Sequence, residues 1–200
     1  AMKQSGAALE AAIRRDLAGA IGSELDKAAF LGSGSSGQPL GMIAGAATYG
    51  ITATDVDAAA TWSAFRAAVV RFMTANAAGN PNAVRLMLRP EVWSDLDDTL
   101  ISGTAVSEWD RLTSNVPAGN IVMTANALAA PAGDPLESSA FLTTTAGGVA
   151  PGYVGLWGAV DLIRDPYTKA ASGALKLTAL TTADVTVARP AQSQVLNGIR

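Results

Sequence analysis

The densest set of residues able to do chemistry is acidic: Glu91, Asp95, Asp97 and Asp98. On a helix, Glu91, Asp95 and Asp98 fall at i, i+4 and i+7 and share one face, an all-oxygen donor set of the kind that takes Mg²⁺ or Ca²⁺. A solvated helix face is the commoner meaning of that spacing. The loop Gly32-Ser33-Gly34-Ser35-Ser36-Gly37-Gln38-Pro39-Leu40-Gly41 invites a phosphate-binding reading. A phosphate cradle needs amides aimed from a helix N-terminus, whereas these glycines follow an expected helix C-terminus and bring no lysine, so a structural turn is the better reading. Ser33, Ser35 and Ser36 have no histidine to activate them and no G-x-S-x-G setting. Glu108, Asp110 and Arg111 read as loop charges, solvated or paired across an interface. Trp62, Trp93, Trp109 and Trp157 read as core or contact residues, since no basic residues accompany them as a stacking platform for nucleic acid would require.

Composition narrows the chemistry further. The 200 residues contain no histidine and no cysteine, so the commonest general base, the commonest metal ligand, thiol nucleophiles and disulfides are all excluded. Carboxylates, lysine, tyrosine or a hard metal would have to do any catalysis. With 17 acidic against 14 basic residues, a net charge of −3 and no Lys/Arg cluster, sequence-specific nucleic-acid binding is not expected. No stretch of eighteen apolar residues and no basic-then-apolar leader pattern is present, so neither a membrane span nor secretion is expected. A hydrophobic content of 49% with 16% charge suits a folded chain with a sizeable core.

The elements that would position these residues follow from periodicity. Leu9, Ile13, Leu17, Ile21 and Leu25, with Ala29, recur every fourth residue and predict one helix from about Ser5 to Leu31. At roughly 25 residues, or about 38 Å, it is longer than one face of an ordinary core needs. Gly19 and Gly22 in its interior each cost on the order of 1 kcal/mol relative to alanine, so packing must hold the helix, and a neighbouring backbone is expected beside the glycines. Gly32 is the expected left-handed cap. Leu40 to Tyr49 reads as a short strand or turn, and Thr52 to Asp57 as a surface connection. Thr61 is placed to cap a second helix bearing Trp62, Phe65, Val69, Phe72 and Met73, ended by Gly79-Asn80-Pro81. A buried strand at Ala83 to Leu88 precedes a third helix from Pro90 to about Ile101. Residues 102 to 119 read as a loop, Ile121 to Thr124 and Ala140 to Thr145 as strands, and Ala125 to Pro135 as an exposed connection. From Gly155 onward, alternation at Ala159 to Arg164, Ala174 to Leu180, Val185 and Val187 predicts a long hairpin with a hydrophilic tip from Asp165 to Gly173. The two ends of the chain are expected to meet around an inserted middle.

Several of these landmarks together resemble the major capsid proteins of tailed phages with the Hong Kong 97 fold. They are the long helix running into Leu25-Asp26-Lys27-Ala28-Ala29-Phe30-Leu31-Gly32-Ser33-Gly34, then Gln38-Pro39-Leu40-Gly41-Met42-Ile43, and Leu86-Met87-Leu88-Arg89-Pro90-Glu91-Val92-Trp93-Ser94-Asp95-Leu96. Near the end come Leu156-Trp157-Gly158, Asp165-Pro166-Tyr167-Thr168, Gly173 and Val187-Ala188-Arg189-Pro190. The order and spacing of these pieces carry the resemblance, not any single motif. Members usually have an N-terminal arm and an extended loop before the helix, which the given sequence, beginning almost at the helix, does not show. The lysine that some members cross-link from that loop has no counterpart, so no isopeptide chemistry is carried over.

The resemblance implies an α+β phage-capsid-like fold. Residues 1–37 (spine helix) and 151–183 (long β-hairpin) would form a P domain, and 38–150 with the final strand and C-terminus at 184–200 a mixed α/β A domain. It implies a non-enzymatic head subunit of a tailed phage or prophage, self-assembling into pentamers and hexamers of an icosahedral shell that encloses DNA. The implied partners are other copies of the chain, with scaffold, maturation protease and portal, and the implied location is the virion, after assembly in the host cytoplasm. No catalytic, cofactor-binding or metal residue is assigned and no cofactor is expected. An encapsulin-like compartment shell is the alternative within the same fold, and a carboxylate-dependent metal hydrolase using Glu91, Asp95 and Asp98 is the alternative from another class.

Overall fold

The computed structural model describes residues 7–165, 167–173 and 176–200, with side chains for all of these except 7–11, 146, 159 and 170. The four-residue apolar spacing gives α1, Ala7–Leu31, as one uninterrupted helix. Its stripe turns inward only toward the C-terminal end. Ile13 is exposed, Leu17, Ile21 and Leu25 are half-buried, and Ala29 is buried. The side chain of Leu9 lies outside the described residues.

A five-stranded sheet is built from β1 (Thr52–Ala58), β2 (Val84–Leu88), β3 (Ile121–Met123), β4 (Ser138–Thr144) and β7 (Ser193–Ile199), in the order β1-β7-β4-β2-β3. The β1–β7 and β2–β3 pairs are parallel, while β4 runs antiparallel to both β2 and β7. The C-terminal strand therefore sits inside the sheet between β1 and β4, so the end of the chain completes a layer begun near residue 52. Alternation at Val84, Leu86 and Leu88 sends all three onto one face, where they meet Phe65, Val69 and Phe72 of α3 (Trp62–Thr74), Val92 and Leu96 of α4 (Pro90–Asp98) and Leu112 of α5 (Glu108–Asn115). A smaller cluster on the other face joins Ala46 of α2 (Ala46–Tyr49) to Ile51, Leu128, Phe141 and Val195, with Phe30 at the end of α1 packed against it. The Phe30 and Phe141 rings meet edge to face at 5.8 Å, which couples the long helix to the sheet.

The remaining strands, β5 (Gly152–Asp165) and β6 (Lys176–Val187), form a separate antiparallel ribbon that lies along α1. Pairing moves from Trp157↔Thr182 to Asp161↔Leu180, so residues 158–160 stand opposite Thr181 alone, with Gly158 at φ 78°. This bulge shifts the alternation expected through Ala159 to Arg164, whose start at the Ala159 side chain, like Pro166, Ala174 and Leu175, lies outside the described residues.

Several local expectations are corrected. Of the strand or turn expected over Leu40 to Tyr49 the turn forms: Leu40 makes one bridge to Ser33, turns follow, and the short helix α2 is capped by Gly50, left-handed at φ 73°. Thr52 to Asp57 is not a connection but edge strand β1, whose polar composition suits an edge with side chains in water on both faces. Residues 102–119 are not one loop, because Ser107 caps α5, accepting a bond from the Asp110 amide at 3.1 Å while the Asp110 carboxylate accepts from the Ser107 amide. The third helix stops at Asp98, three residues short of Ile101. Gly32 is not left-handed: a Cβ there would strike the carbonyl oxygens of Ala28 and Pro39, so glycine is needed where the returning chain crosses the helix end. Gly19 and Gly22 face open space, with nothing within 4 Å of where a Cβ would be, so no backbone of this chain approaches them.

Candidate assembly surfaces

The acidic helix face does not assemble a metal site. Glu91 is held by Arg89 in a two-point pair, Nε to Oε2 at 3.0 Å and Nη2 to Oε1 at 2.9 Å, and the hydrogen bonds from Arg89 lower its pKa. The same guanidinium, 6% exposed, donates through Nη1 to the carbonyls of Ala125 and Leu128 and so pins the 125–128 segment to the start of α4. Asp95, Asp97 and Asp98 are exposed, and among the described residues no group of three or more acidic side chains could hold a metal ion. The hydrolase reading through Glu91, Asp95 and Asp98 therefore loses its site.

The glycine-rich loop is likewise closed on itself. Most of its amides are engaged within its own crossing, Gly32 to the Ala28 carbonyl at 3.0 Å, Gly34 to that of Pro39 at 3.2 Å and Gly41 to that of Gly32 at 2.9 Å, and they do not converge on an open cradle from a helix N-terminus. Ser33 is engaged with Ser35 and Gln38. No helix of the described residues is long and apolar enough to cross a membrane.

Glu108 is where the expectation from sequence was furthest off. Instead of standing in a solvated loop it is 7% exposed, and its Oε2 accepts the Trp62 amide at 2.8 Å, capping α3 from a distance of 46 residues. Thr61 occupies the cap position but makes no side-chain bond to the helix. Arg111 approaches the other oxygen of Glu108 at 3.6 Å, so the carboxylate is paired within the chain. The signal available in the sequence was Ser107-x-x-Asp110, a capping-box pattern that marks the start of a helix here rather than a loop. Of the four tryptophans, Trp62 is core, Trp93 and Trp109 meet edge to face at 6.5 Å, and Trp157 is 58% exposed.

Among the described residues, three buried polar atoms lack a hydrogen-bond partner, Arg71 Nη2, Gln192 Oε1 and Ser193 Oγ, but the larger unsatisfied surface is apolar. On the ribbon, Tyr153, Val154, Leu156, Trp157, Leu162 and Ile163 of β5 are between 42% and 58% exposed. Residues paired across the ribbon share a face, so Val154, Leu156 and Leu162 lie on the side of Val185, Ala183 and Ala179, toward α1. Helix and ribbon do not close on each other. A groove of about 410 Å³ remains between them, lined by Leu17, Ile21, Leu25, Pro39, Ala179 and Ala183. The base of the ribbon is nevertheless fixed to α2 and the turn before it, because the Tyr49 hydroxyl lies 2.8 Å from the Leu40 carbonyl and 2.9 Å from that of Val185. Burial, and then the charge of Asp184, raise the pKa of that phenol. Asn126 adds a tie to α1, donating to the Ser23 carbonyl at 2.6 Å.

A long helix thus lies along a ribbon whose large apolar side chains stay about half exposed. The family model described as the phage capsid family matches residues 1–198 of the chain. The chain belongs to the phage capsid family. Within it the fold is that of solved shells. The capsid of a native GTA particle is similar with a TM-score of 0.64 at 13% identity, over 98% of this chain and 68% of that one. The capsid of Myoviridae phage XM1 gives 0.56 at 13%, over 96% and 65%, and that of Mycobacterium phage Che8 0.55 at 18%, over 92% and 62%. The chain spans about two thirds of the length of these relatives. No curated protein matches it in sequence. The phage-capsid chain is a structural major capsid subunit and not an enzyme, and the encapsulin-like alternative is not favoured.

Proposed function

We propose that this capsid subunit assembles with copies of itself into pentameric and hexameric rings that close into an icosahedral shell around DNA, of a tailed phage or a prophage. In this reading residues 1–37 with α1 and residues 151–183 with most of the ribbon are the P domain, and residues 38–150 and 184–200, which hold the helix-backed sheet and the last four residues of β6, are the A domain. Scaffold, maturation protease and portal are the other partners, and assembly takes place in the host cytoplasm before the protein resides in the virion. The observation that carries the proposal is the bare ribbon: an isolated two-stranded ribbon is marginal in water, and an apolar surface of this extent on a folded protein marks a contact with another molecule. Copies of the same chain are the economical source of that contact, because closed symmetric assemblies repeat one pair of surfaces.

The test is sedimentation and negative-stain electron microscopy of the expressed gene product across a concentration series. Rings or closed shells are expected to appear as concentration rises. A protein that sediments as a monomer throughout, under conditions that support shell formation in its relatives, would overturn the proposal.

A further inference from the structure

The five-stranded sheet carries, on the face away from α3, α4 and α5, an apolar cavity of about 230 Å³ lined by Phe30, Met42, Met87, Phe141 and Val122, with one charged side chain, Arg85, at its edge. Arg85 and Thr143 are cross-strand partners on β2 and β4, as are Met87 and Phe141, so these four side chains share the face that forms the wall. Arg85 is exposed, and among the described residues it has no hydrogen-bond or ion-pair partner. The cavity therefore presents apolar walls and one unspent positive charge, which suits an apolar side chain carried beside a carboxylate.

The same chain displays such a group. The turn Gly133-Asp134-Pro135-Leu136 is closed at its base by two backbone bonds between Ala132 and Glu137, at 3.1 and 2.9 Å, and Glu137 is tied to Arg200 by a salt bridge at 2.6 Å. At its tip Leu136 is 66% exposed, and Asp134 is exposed with no side-chain partner among the described residues. A knob held this firmly loses little conformational freedom when it docks.

The turn runs straight into Ser138, the first residue of β4, and the cavity wall is formed near the other end of that strand. From Ser138 to Thr143 is five residues, about 17 Å at the strand rise. With both neighbours of β4 paired, a chain cannot bring its own knob to its own cavity. Knob and cavity are two different surfaces, so contact between copies is head to tail and repeats from each copy to the next, closing a ring if the rotation allows. We infer that the Leu136 and Asp134 knob of one copy seats in the Arg85-edged cavity of the next and is one of the contacts that define the capsomer ring. This rests on the reading that copies assemble, and it names which surfaces meet.

Charge reversal with rescue tests it on the full chain. R85E and D134R are each expected to weaken association about tenfold or more, and R85E combined with D134R to recover most of the loss. L136D, on an exposed turn where folding is not at stake, is expected to weaken association with an unchanged melting temperature. The absence of native cysteine permits a direct check: V122C mixed with L136C is expected to form a 122–136 disulfide between copies on mild oxidation, while either variant alone is not. If wild-type protein forms rings while R85E and L136D assemble equally well and no 122–136 bond appears, the contact is overturned and the assembly reading stands. A wild-type protein that never associates overturns both.

Discussion

The sheet and the ribbon are built from similar apolar residues and end in opposite states. In the sheet, Val84, Leu86 and Leu88 alternate onto α3, α4 and α5 and are all but fully buried, and the buried charged groups beside them are matched, Glu108 by the Trp62 amide and Arg89 by Glu91 and two carbonyls, while single atoms of Arg71, Gln192 and Ser193 are left without a partner. In the ribbon, Leu156 and Trp157 are each 58% exposed. Away from its base, where Val185 and Val187 pack near Tyr49 and Met42, the ribbon lies along α1, which leaves a groove rather than a seam. One region stabilises itself by what it buries. The other leaves its apolar surface exposed, and under the proposed assembly contacts with other copies would complete its stabilisation.

That contrast is broken most sharply by exchanging the readouts. Phe72 on α3 is fully buried in the sheet core, so Phe72→Ala is expected to cost about 3–5 kcal/mol of stability in denaturant unfolding of the unassembled chain. Trp157→Ser, on the ribbon, is expected to change that same stability by no more than about 0.5 kcal/mol, because its ring lies largely in water, and to reduce assembly instead. A ribbon substitution as destabilising as the core one would show that the ribbon is folded core in its own right.

The helix glycines give the next effect in size. Gly19 and Gly22 are open in the single chain, so Gly22→Ala should add about 1 kcal/mol to its stability through backbone propensity alone. Sedimentation of the same variant then separates two roles. Unchanged assembly means that the glycine is only a weak point in a long helix; lost assembly with raised stability means that another copy's backbone packs there.

How far the sequence could be read divides along the same line. The long helix was legible because no proline interrupts an apolar stripe five residues deep, and α3 because Trp62, Phe65, Val69 and Phe72 fall on one side. The ribbon was legible as a hairpin, yet not its bulge, since pairing three residues against Thr181 leaves no mark in composition. Strand β1 was missed because an edge strand exposed on both faces has the polar make-up of a loop, and its partner β7 lies some 140 residues away in the chain. The inward turn of Glu108 depends on the Trp62 amide, a contact no local window contains, and the glycine at 32 is explained by a crossing with Pro39 rather than by its own φ. The acidic spacing at Glu91, Asp95 and Asp98 was real as a spacing. It had no chemical meaning once Arg89 claimed Glu91.

The smallest effect lies at the ribbon tip, where the exposed half of the comparison contains one well-ordered polar device. Asp165 accepts the amides of Tyr167 at 2.9 Å and Thr168 at 3.1 Å as well as the Thr168 hydroxyl, and these bonds, the Thr168 side chain foremost, hold its pKa below the ordinary aspartate value. Because the folded value is the lower one, the stabilisation is complete above the unfolded pKa of about 3.9 and is lost as pH falls through the folded value. The bonds that Asp165 accepts from Tyr167 and Thr168 are therefore expected to hold at neutral pH and to be lost in acid. Following the Tyr167 and Thr168 amide resonances against pH should show a transition below the ordinary carboxylate range, absent in Asp165→Asn, while resonances of the sheet core stay unchanged through it. A transition at the ordinary aspartate pKa would mean that the carboxylate does not hold the turn, and that the tip is as unfinished as the strands that lead to it.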